Sequence, residues 1–200
     1  MSPTFKLVVL PCIALAGAVA AALVLPVFQS APSHAVPHAA QSGNPYVIMV
    51  RHGDAPGRGE PAEFDLNDCS TQRNLSDKGR NEARELGNAI KARGINVTTV
   101  LASRWCRTQE TARLLDLAPV ERSTVFDNLD MNKYRAAVLM DGERELITSW
   151  RGPGVMLVVT HSSNIKLLTG MNVEQGTMIV APTVDTVARF EKIALQGNAF

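Results

Sequence analysis

The sequence predicts an α/β protein of three layers, α/β/α, with a mostly parallel central sheet. Two continuous apolar runs, 46–50 and 155–159, are typical of strands that are buried on both faces. Segments with a helical spacing of apolar residues alternate with strands along the chain, as in layered α/β domains. The 200 residues, 46% of them hydrophobic, are sufficient for one such domain and its core.

Each element has a local signal. Tyr46 to Val50 is the first strand, and a long polar loop follows it as far as Asn74. Ser76 caps the first helix, which ends at Gly94 after basic residues in its last turn. The later patterns predict, in order, a strand over 97–102, a helix over 104–115, helices around 133–140 and 143–150, the strand from 155, a short helix over 162–169 and two closing strands within 178–193.

The first 35 residues are typical of an export signal. Lys6 and the free amine precede a stretch, 7–28, that has no charged residue and is long enough to span a bilayer. We therefore interpret residues 1–35 as a signal peptide or an uncleaved signal anchor, 36–45 as a flexible linker and 46–200 as the folded domain. Because positive charge lies only before the apolar stretch, both versions place the domain outside the cytoplasm, as a periplasmic, secreted or membrane-anchored protein.

The folded part carries no net charge, which restricts its partners. The chain has 20 Lys and Arg against 19 Asp and Glu, and Lys6 is the one charged residue before position 36, which leaves 19 cations and 19 anions beyond it. We predict no surface for nucleic acid or for an anionic membrane, so an anionic ligand has to bind in a local pocket. The pattern leaves the natural substrate and the oligomeric state open.

Two histidines follow two of the predicted strands. His52 comes directly after the first strand and His161 directly after the strand that starts at Val155, and Arg51 and Arg107 lie close to strand ends as well. The carboxyl ends of parallel strands meet at one edge of the sheet, where ligands of α/β proteins bind. One guanidinium group can donate two parallel hydrogen bonds to the oxygens of a phosphate group. The sequence therefore predicts a phosphate site at this edge.

Four segments around these residues form a set of motifs, which are Arg51-His52-Gly53, Leu75 to Arg80, Ser103 to Ala112 with Arg107, and Thr160-His161. These motifs resemble those of the histidine phosphatase superfamily, which has a phosphoglycerate mutase-like fold. The resemblance spans nearly all of 46–164, in the family's order. The resemblance is strongest to small exported members of bacterial type. Some resemblance extends to the lipopolysaccharide core heptose phosphatase and, through Arg51-His52-Gly53-Asp54-Ala55, to a phosphohistidine phosphatase.

The resemblance implies a phosphatase that acts on a small-molecule phosphate ester without a metal or other cofactor. His52 is the implied nucleophile, and Arg51, Arg107 and His161 are the implied phosphate ligands. A neutral imidazole is needed for attack, and we expect the two arginines to lower the pKa of His52. Ser162 stands where the acid phosphatase branch has an aspartate that protonates the leaving group, so this chain departs from that branch.

The proton donor is left open by the sequence. Asp130 is the first choice, and both Asp127 and Asp130 lie in the region where the mutase-like branch keeps its glutamate. Asp54, Asp127 and Glu174 are alternatives, and each of these carboxylates could equally be a solvated loop residue.

The long loop after the first strand supplies two further expectations. Gln72 and Arg73 either contact the substrate or are ordinary surface residues. Cys69 and Cys106 are an even pair in a chain predicted to be exported, which favours a disulfide over two free thiols. Such a bond would tie the loop to the residue before Arg107 and contribute ~4 kcal/mol.

Three other functions compete with a phosphomonoester hydrolase. His52 and Asp54 could share a metal ion, although no further ligands stand at suitable spacing. The pocket could hold a phosphorylated ligand without turnover, as a non-catalytic envelope module. The substrate could also be a phosphohistidine or another phosphoprotein.

Overall fold

The computed structural model describes residues 45–129, 133–182 and 191–193. Within these residues one sheet contains six strands, which are β1 (Tyr46–Arg51), β2 (Val97–Ala102), β3 (Val120–Arg122), β4 (Val155–Thr160), β5 (Met178–Pro182) and β6 (Glu191–Ile193). The described helices are α1 (Asp77–Ala92), α2 (Cys106–Leu115), α3 (Lys133–Ser149) and α4 (Ser162–Thr169), with a short 3₁₀ turn at Cys69–Thr71.

The sheet is mostly parallel, as predicted. Its strand order is β3-β2-β4-β1-β5-β6, and β1 pairs in parallel with β4, with Tyr46 opposite Val155 and Arg51 opposite Thr160. The strands β2, β3 and β4 are also parallel to one another. In contrast, β5 pairs antiparallel with β1, and β6 pairs antiparallel with β5. The strands β1 and β4 therefore lie side by side in the middle, with their carboxyl ends at the same edge.

Two separate cores cover the two faces of the sheet. Alternate residues of β1 point to opposite faces, so that Ile48 joins one core and Met49 the other. The helices α1 and α2 contribute to the first core through Ile90 and Leu115, and α3 and α4 contribute to the second. This arrangement is the predicted three-layer α/β/α architecture.

The structure differs from the predicted elements in three places. One helix, α3, replaces the two expected between 133 and 150, because Gly142 sits inside it against Val125 and the apolar packing of Ile147 offsets the weak helix propensity of glycine. The helix expected from Arg104 begins at Cys106, with Trp105 in extended backbone as its cap. The strand β3 was not predicted, because it is three residues long and two of them, Glu121 and Arg122, are exposed charges.

The predicted signal segment, the linker up to position 44 and Asp130 lie outside the described residues. Within the described ranges, no helix is both long and apolar enough to cross a membrane.

Candidate active site

His52 and His161 meet at the edge where β1 and β4 end. The backbone N–H of His52 donates to the carbonyl oxygen of Thr160 at 3.0 Å, which continues the pairing of the two strands into the site. The centroids of the two imidazole rings are 5.6 Å apart, and the rings are inclined by 65°. Each residue is 2% exposed. The parallel pairing thus brings together the two histidines that the sequence singled out.

A backbone contact fixes the tautomer of His52. Its Nδ1 lies 2.8 Å from the carbonyl oxygen of Gly53. A carbonyl oxygen only accepts hydrogen bonds, so Nδ1 carries the proton and Nε2 keeps its lone pair. Gly53 is held in turn, because its N–H donates to Oγ1 of Thr111 at 3.0 Å.

His52 is neutral at physiological pH. Burial lowers its pKa to about 3, and the positive charges of Arg107 and Arg51 add to this effect, whereas the hydrogen bond to Gly53 opposes it. The direction agrees with the expectation from sequence, but the main cause is removal from water rather than the arginines. The sequence could not show this, because burial of a residue that follows a strand depends on the loops that cover it.

Arg107 is the most deeply buried cation of the site. It lies in the first turn of α2 and is 1% exposed. Its Nη1 donates to Oε1 of Glu60 at 2.5 Å, and its Nη2 lies 3.4 Å from Nδ1 of His161. Burial lowers the pKa of Arg107 to about 10, and the charge of Glu60 opposes that shift. The guanidinium therefore remains charged at neutral pH.

The contacts of His161 define its tautomer as well. Because a guanidinium group only donates, Nδ1 next to Arg107 carries the lone pair, and Nε2–H donates to Oγ of Ser103 at 2.8 Å. Burial is the main cause that lowers the pKa of His161 well below 6.5, and Arg107 adds to it. Both imidazoles are thus neutral beside a permanent cation.

Arg51 enters the same space from the end of β1. Its Nη1 donates to the carbonyl oxygen of Val173 at 2.6 Å, and its Nε is buried without a hydrogen-bond partner. Burial lowers the pKa of Arg51, whereas the charge of Glu174 raises it. Glu174 is itself exposed, so the structure places it near Arg51 at the surface.

These side chains line one cleft. The lining residues are Arg51, His52, Gly59, Glu60, Arg73, Arg107, Asn128, His161 and Ser162. Three guanidinium groups and two neutral imidazoles thus surround a space that one carboxylate shares. A tetrahedral dianion matches this set, since guanidinium groups donate to its oxygens and an unprotonated imidazole nitrogen can face its centre.

The polar loop between β1 and α1 forms the outer wall of the cleft. Arg73 reaches the cleft and donates through Nε to the carbonyl oxygen of Gly59 at 3.0 Å. Gln72 is not among the lining residues. Its amide nitrogen donates to two loop carbonyls, and its Oε1 accepts from the backbone N–H of Cys106 at 2.9 Å. Gln72 therefore shapes the loop, and Arg73 faces the ligand space.

The predicted disulfide is present in the structure. Cys69 and Cys106 are bonded, with their Cα atoms 5.7 Å apart. The bond joins the 3₁₀ turn of the loop to the first residue of α2, directly before Arg107.

One region of the chain, just under half of its length, matches a family model. Residues 47–141 match the model of the histidine phosphatase superfamily, branch 1. This region belongs to the histidine phosphatase superfamily. The matched range includes the nucleophile expected from the sequence, His52, together with Arg51 and Arg107.

Relatives of known name agree with this assignment. Over 78 residues the chain is 32% identical to the serine/threonine-protein phosphatase Pgam5 of Drosophila virilis, a match that covers 39% of this chain and 24% of that protein. The chain thus spans about a quarter of the length of the curated relatives that it matches.

Solved structures share the fold of this histidine phosphatase domain. The product of the open reading frame Rv3214 of Mycobacterium tuberculosis superposes with a TM-score of 0.57 at 17% identity, over 78% of this chain and 100% of that one. Phosphoserine phosphatase of Entamoeba histolytica, solved with 3-phosphoglyceric acid, gives 0.56 at 13% identity, over 76% and 98%.

The carboxylates proposed as proton donors of the histidine phosphatase domain have other contacts in the structure. Asp54 accepts a short hydrogen bond from Oγ of Ser76. Asp127 is buried and holds Arg104 through both of its oxygens. Glu174 is exposed, and its charge raises the pKa of Arg51. Asp130 lies outside the described residues. None of the three described candidates lines the cleft.

Glu60, which among the described residues is the carboxylate that lines the cleft, was not predicted from the sequence. It stands in a loop rich in glycine and proline, eight positions after His52, and no periodicity or neighbouring motif distinguishes it from solvated acids such as Glu63. Only its partner, the buried Arg107, separates it from them. Among the described residues, no group of three or more His, Cys, Asp or Glu side chains is placed to hold a metal ion.

Proposed function

We propose that this chain is an extracytoplasmic phosphomonoester hydrolase that acts through a phosphohistidine on His52 and needs no metal. The observation that carries the proposal is the fixed tautomer of His52, whose Nε2 is unprotonated in a buried cleft lined by three arginines. Membership of the histidine phosphatase superfamily and the likeness to a named phosphatase support it.

The reaction has two steps. Nε2 of His52 attacks the phosphorus atom, and the ester oxygen leaves as the nitrogen–phosphorus bond forms. Arg51, Arg107 and His161 stabilise the charge on the three remaining oxygens, which is the main contribution of a protein to phosphoryl transfer. Water then attacks the phosphohistidine, which releases inorganic phosphate and restores the imidazole.

His161 contributes to this step through a change of protonation. In the ligand-free site its Nδ1 faces Arg107 and carries no proton. A bound phosphate dianion offsets the positive charges that lower the pKa of His161, and the imidazole then takes up a proton and donates it in a hydrogen bond to a phosphate oxygen. Ser103 keeps the ring oriented during this change through its contact with Nε2.

The location outside the cytoplasm is supported by two independent features. The apolar stretch 7–28 after Lys6 is typical of an export signal. The disulfide between Cys69 and Cys106 is stable in oxidising compartments and rare in the cytosol. Separation of the cell into envelope and cytoplasmic fractions tests the proposal, and recovery of the protein with reduced cysteines in the cytoplasm contradicts it.

A phosphoprotein is the second candidate substrate. The likeness to a serine/threonine-protein phosphatase favours it, although that match covers only 24% of the relative. Release of phosphate by the full-length protein from a panel of sugar phosphates and phosphopeptides separates the two candidates.

Turnover of an aryl phosphate in the presence of a chelator tests the proposed chemistry. The native protein and a His38→Ala control, changed in the predicted linker, should release phosphate and form an acid-labile phosphoprotein. A His52→Ala variant should do neither. Loss of activity in chelator would point to a metal site, and a folded native protein without turnover would point to a binding module.

A further inference from the structure

Glu60 is the one carboxylic acid among the described residues that lines the cleft. Its side chain is 4% exposed, although it belongs to a surface loop. Oε1 accepts from Nη1 of Arg107 at 2.5 Å, and Oε2 accepts from the backbone N–H of Arg73 at 3.2 Å. Both oxygens are therefore held in place, at the boundary between the loop and the phosphate site.

The proposed reaction needs a group that gives and takes a proton. An alkoxide is a poor leaving group, so the ester oxygen has to be protonated as its bond to phosphorus breaks. His52 is engaged as the nucleophile, His161 is occupied with the phosphate oxygens, and arginines do not release protons at neutral pH. Of the titratable groups that line the cleft in the described part of the chain, Glu60 is the one that remains.

We infer that Glu60 is the catalytic acid and base of this site, an inference that rests on the proposed phosphatase function. In the first step, the bond between Nε2 of His52 and phosphorus forms, the bond to the ester oxygen breaks, and the Glu60 carboxyl proton passes to that oxygen. In the second step, the Glu60 carboxylate takes a proton from the attacking water, and the nitrogen–phosphorus electron pair returns to Nε2.

The ion pair with Arg107 links Glu60 directly to the phosphate site. In the free site, the carboxylate neutralises Arg107 and receives its hydrogen bond. A phosphate dianion that takes over the guanidinium removes this cationic partner and puts two negative charges beside the carboxylate.

The dependence on the leaving group tests this role. We suggest measuring kcat/KM, which reports the first step, for 4-nitrophenyl phosphate and for glycerol 2-phosphate with the native protein and with Glu60→Gln. The aryl oxide of 4-nitrophenyl phosphate leaves without protonation, so kcat/KM for this ester should fall less than about tenfold. For the alkyl ester, kcat/KM should fall about 10²–10⁴-fold. Glu63→Gln is the matched control, since Glu63 is an exposed acid of the same loop.

The outcomes separate the two proposals. Equal losses for both esters in Glu60→Gln would show that Glu60 only positions Arg107, and would overturn the inference while the phosphatase function stands. Should Glu60→Gln not fold, Glu60→Asp decides, because a shortened acid should again penalise the alkyl ester more, and equal losses again overturn the role. Turnover by His52→Ala at the native rate would overturn the proposed function itself.

Discussion

The edge of the sheet and the loop that covers it both hold side chains of the cleft in place, but through different kinds of contact. His52 and His161 are held by the pairing of β1 with β4, in which all the residues of both strands except Arg51 are buried. Glu60 and Arg73 belong to a loop, 53–74, that has a short 3₁₀ turn as its one helical or strand element, and a few side-chain hydrogen bonds hold them. His52 thus rests on a rigid scaffold, whereas the wall of the cleft depends on a few side-chain hydrogen bonds and one disulfide.

A close approach of backbones joins the two regions. A Cβ atom on Gly79 would lie 2.2 Å from the carbonyl oxygen of Asp54, and one on Gly53 would lie 2.8 Å from the carbonyl oxygen of Gly79. Only glycine allows α1 to begin directly against the segment after His52. Ser76 caps this helix by accepting from the N–H of Gly79 at 3.1 Å.

The largest effect is expected where the loop and the sheet edge share a buried charge. Arg107→Met leaves the Glu60 carboxylate buried without its partner, so we expect a loss of about 3–5 kcal/mol in the free energy of unfolding, and turnover below detection. Urea unfolding and aryl phosphate turnover check this result, with Arg113→Met on the exposed side of α2 as the control.

The double variant Glu60→Leu with Arg107→Met tests whether the unpaired buried charge causes this loss of stability. Most of the lost stability should return, because no unpaired buried charge remains, and activity should stay absent. A double variant as unstable as Arg107→Met alone would show that the pair does not explain the loss.

Removal of the disulfide should affect the loop and spare the sheet. Cys69→Ser with Cys106→Ser opens a link across 37 residues, which should reduce the free energy of unfolding by about 3–4 kcal/mol. Hydrogen exchange should accelerate in 53–74, while the amides of β1 and β4 stay protected. Equal acceleration in both regions would contradict the distinction between scaffold and wall.

Glu143 tests the support behind His161. It is fully buried in α3, where Oε1 accepts a short hydrogen bond from Asn164 of α4 and Oε2 has no partner. Burial raises its pKa to about 8, so the group is neutral in the folded protein at pH 7 but ionised in the unfolded chain. The stability it contributes is therefore complete below about pH 4.5 and is lost as the pH rises towards 8.

Glu143→Gln should accordingly stabilise the protein by about 1–3 kcal/mol at pH 7 and have little effect at pH 4.5. Unfolding curves at both pH values measure this difference, with the exposed Glu145→Gln as the control. A variant that is destabilised at pH 7 would mean that the native side chain is ionised in the fold.

The smallest expected effect concerns His52 in acid. Its pKa is about 3 in the folded protein and 6.5 ordinarily, so the unfolded chain binds the additional proton and stability falls as the pH decreases from 6.5 towards 3. At pH 5, His52 should account for about 1–2 kcal/mol of this loss. His52→Asn should show a correspondingly flatter dependence on pH, and an unchanged dependence would place the protonation elsewhere.

The same pKa predicts how His52, the proposed nucleophile, behaves in acid. Between pH 7 and pH 5, His52 stays unprotonated in the fold, so its own titration should not reduce the rate of phosphorylation.

Patterning along the chain was sufficient to predict much of the fold. The apolar runs of β1 and β4 and the cap at Ser76 were identified correctly, because each depends on neighbouring residues alone. The helix α3 was divided wrongly, because Gly142 and Glu143 interrupt the local pattern and their places are set by packing against distant segments.

By itself, the sequence determined that His52, His161, Arg51 and Arg107 would meet, because the carboxyl ends of parallel strands share one edge. Only the tertiary structure decided which carboxylate shares their cleft. Selection of Glu60 depends on a contact across 47 positions with a buried guanidinium, and the course of an irregular loop over that distance follows from many weak bonds that no local pattern encodes.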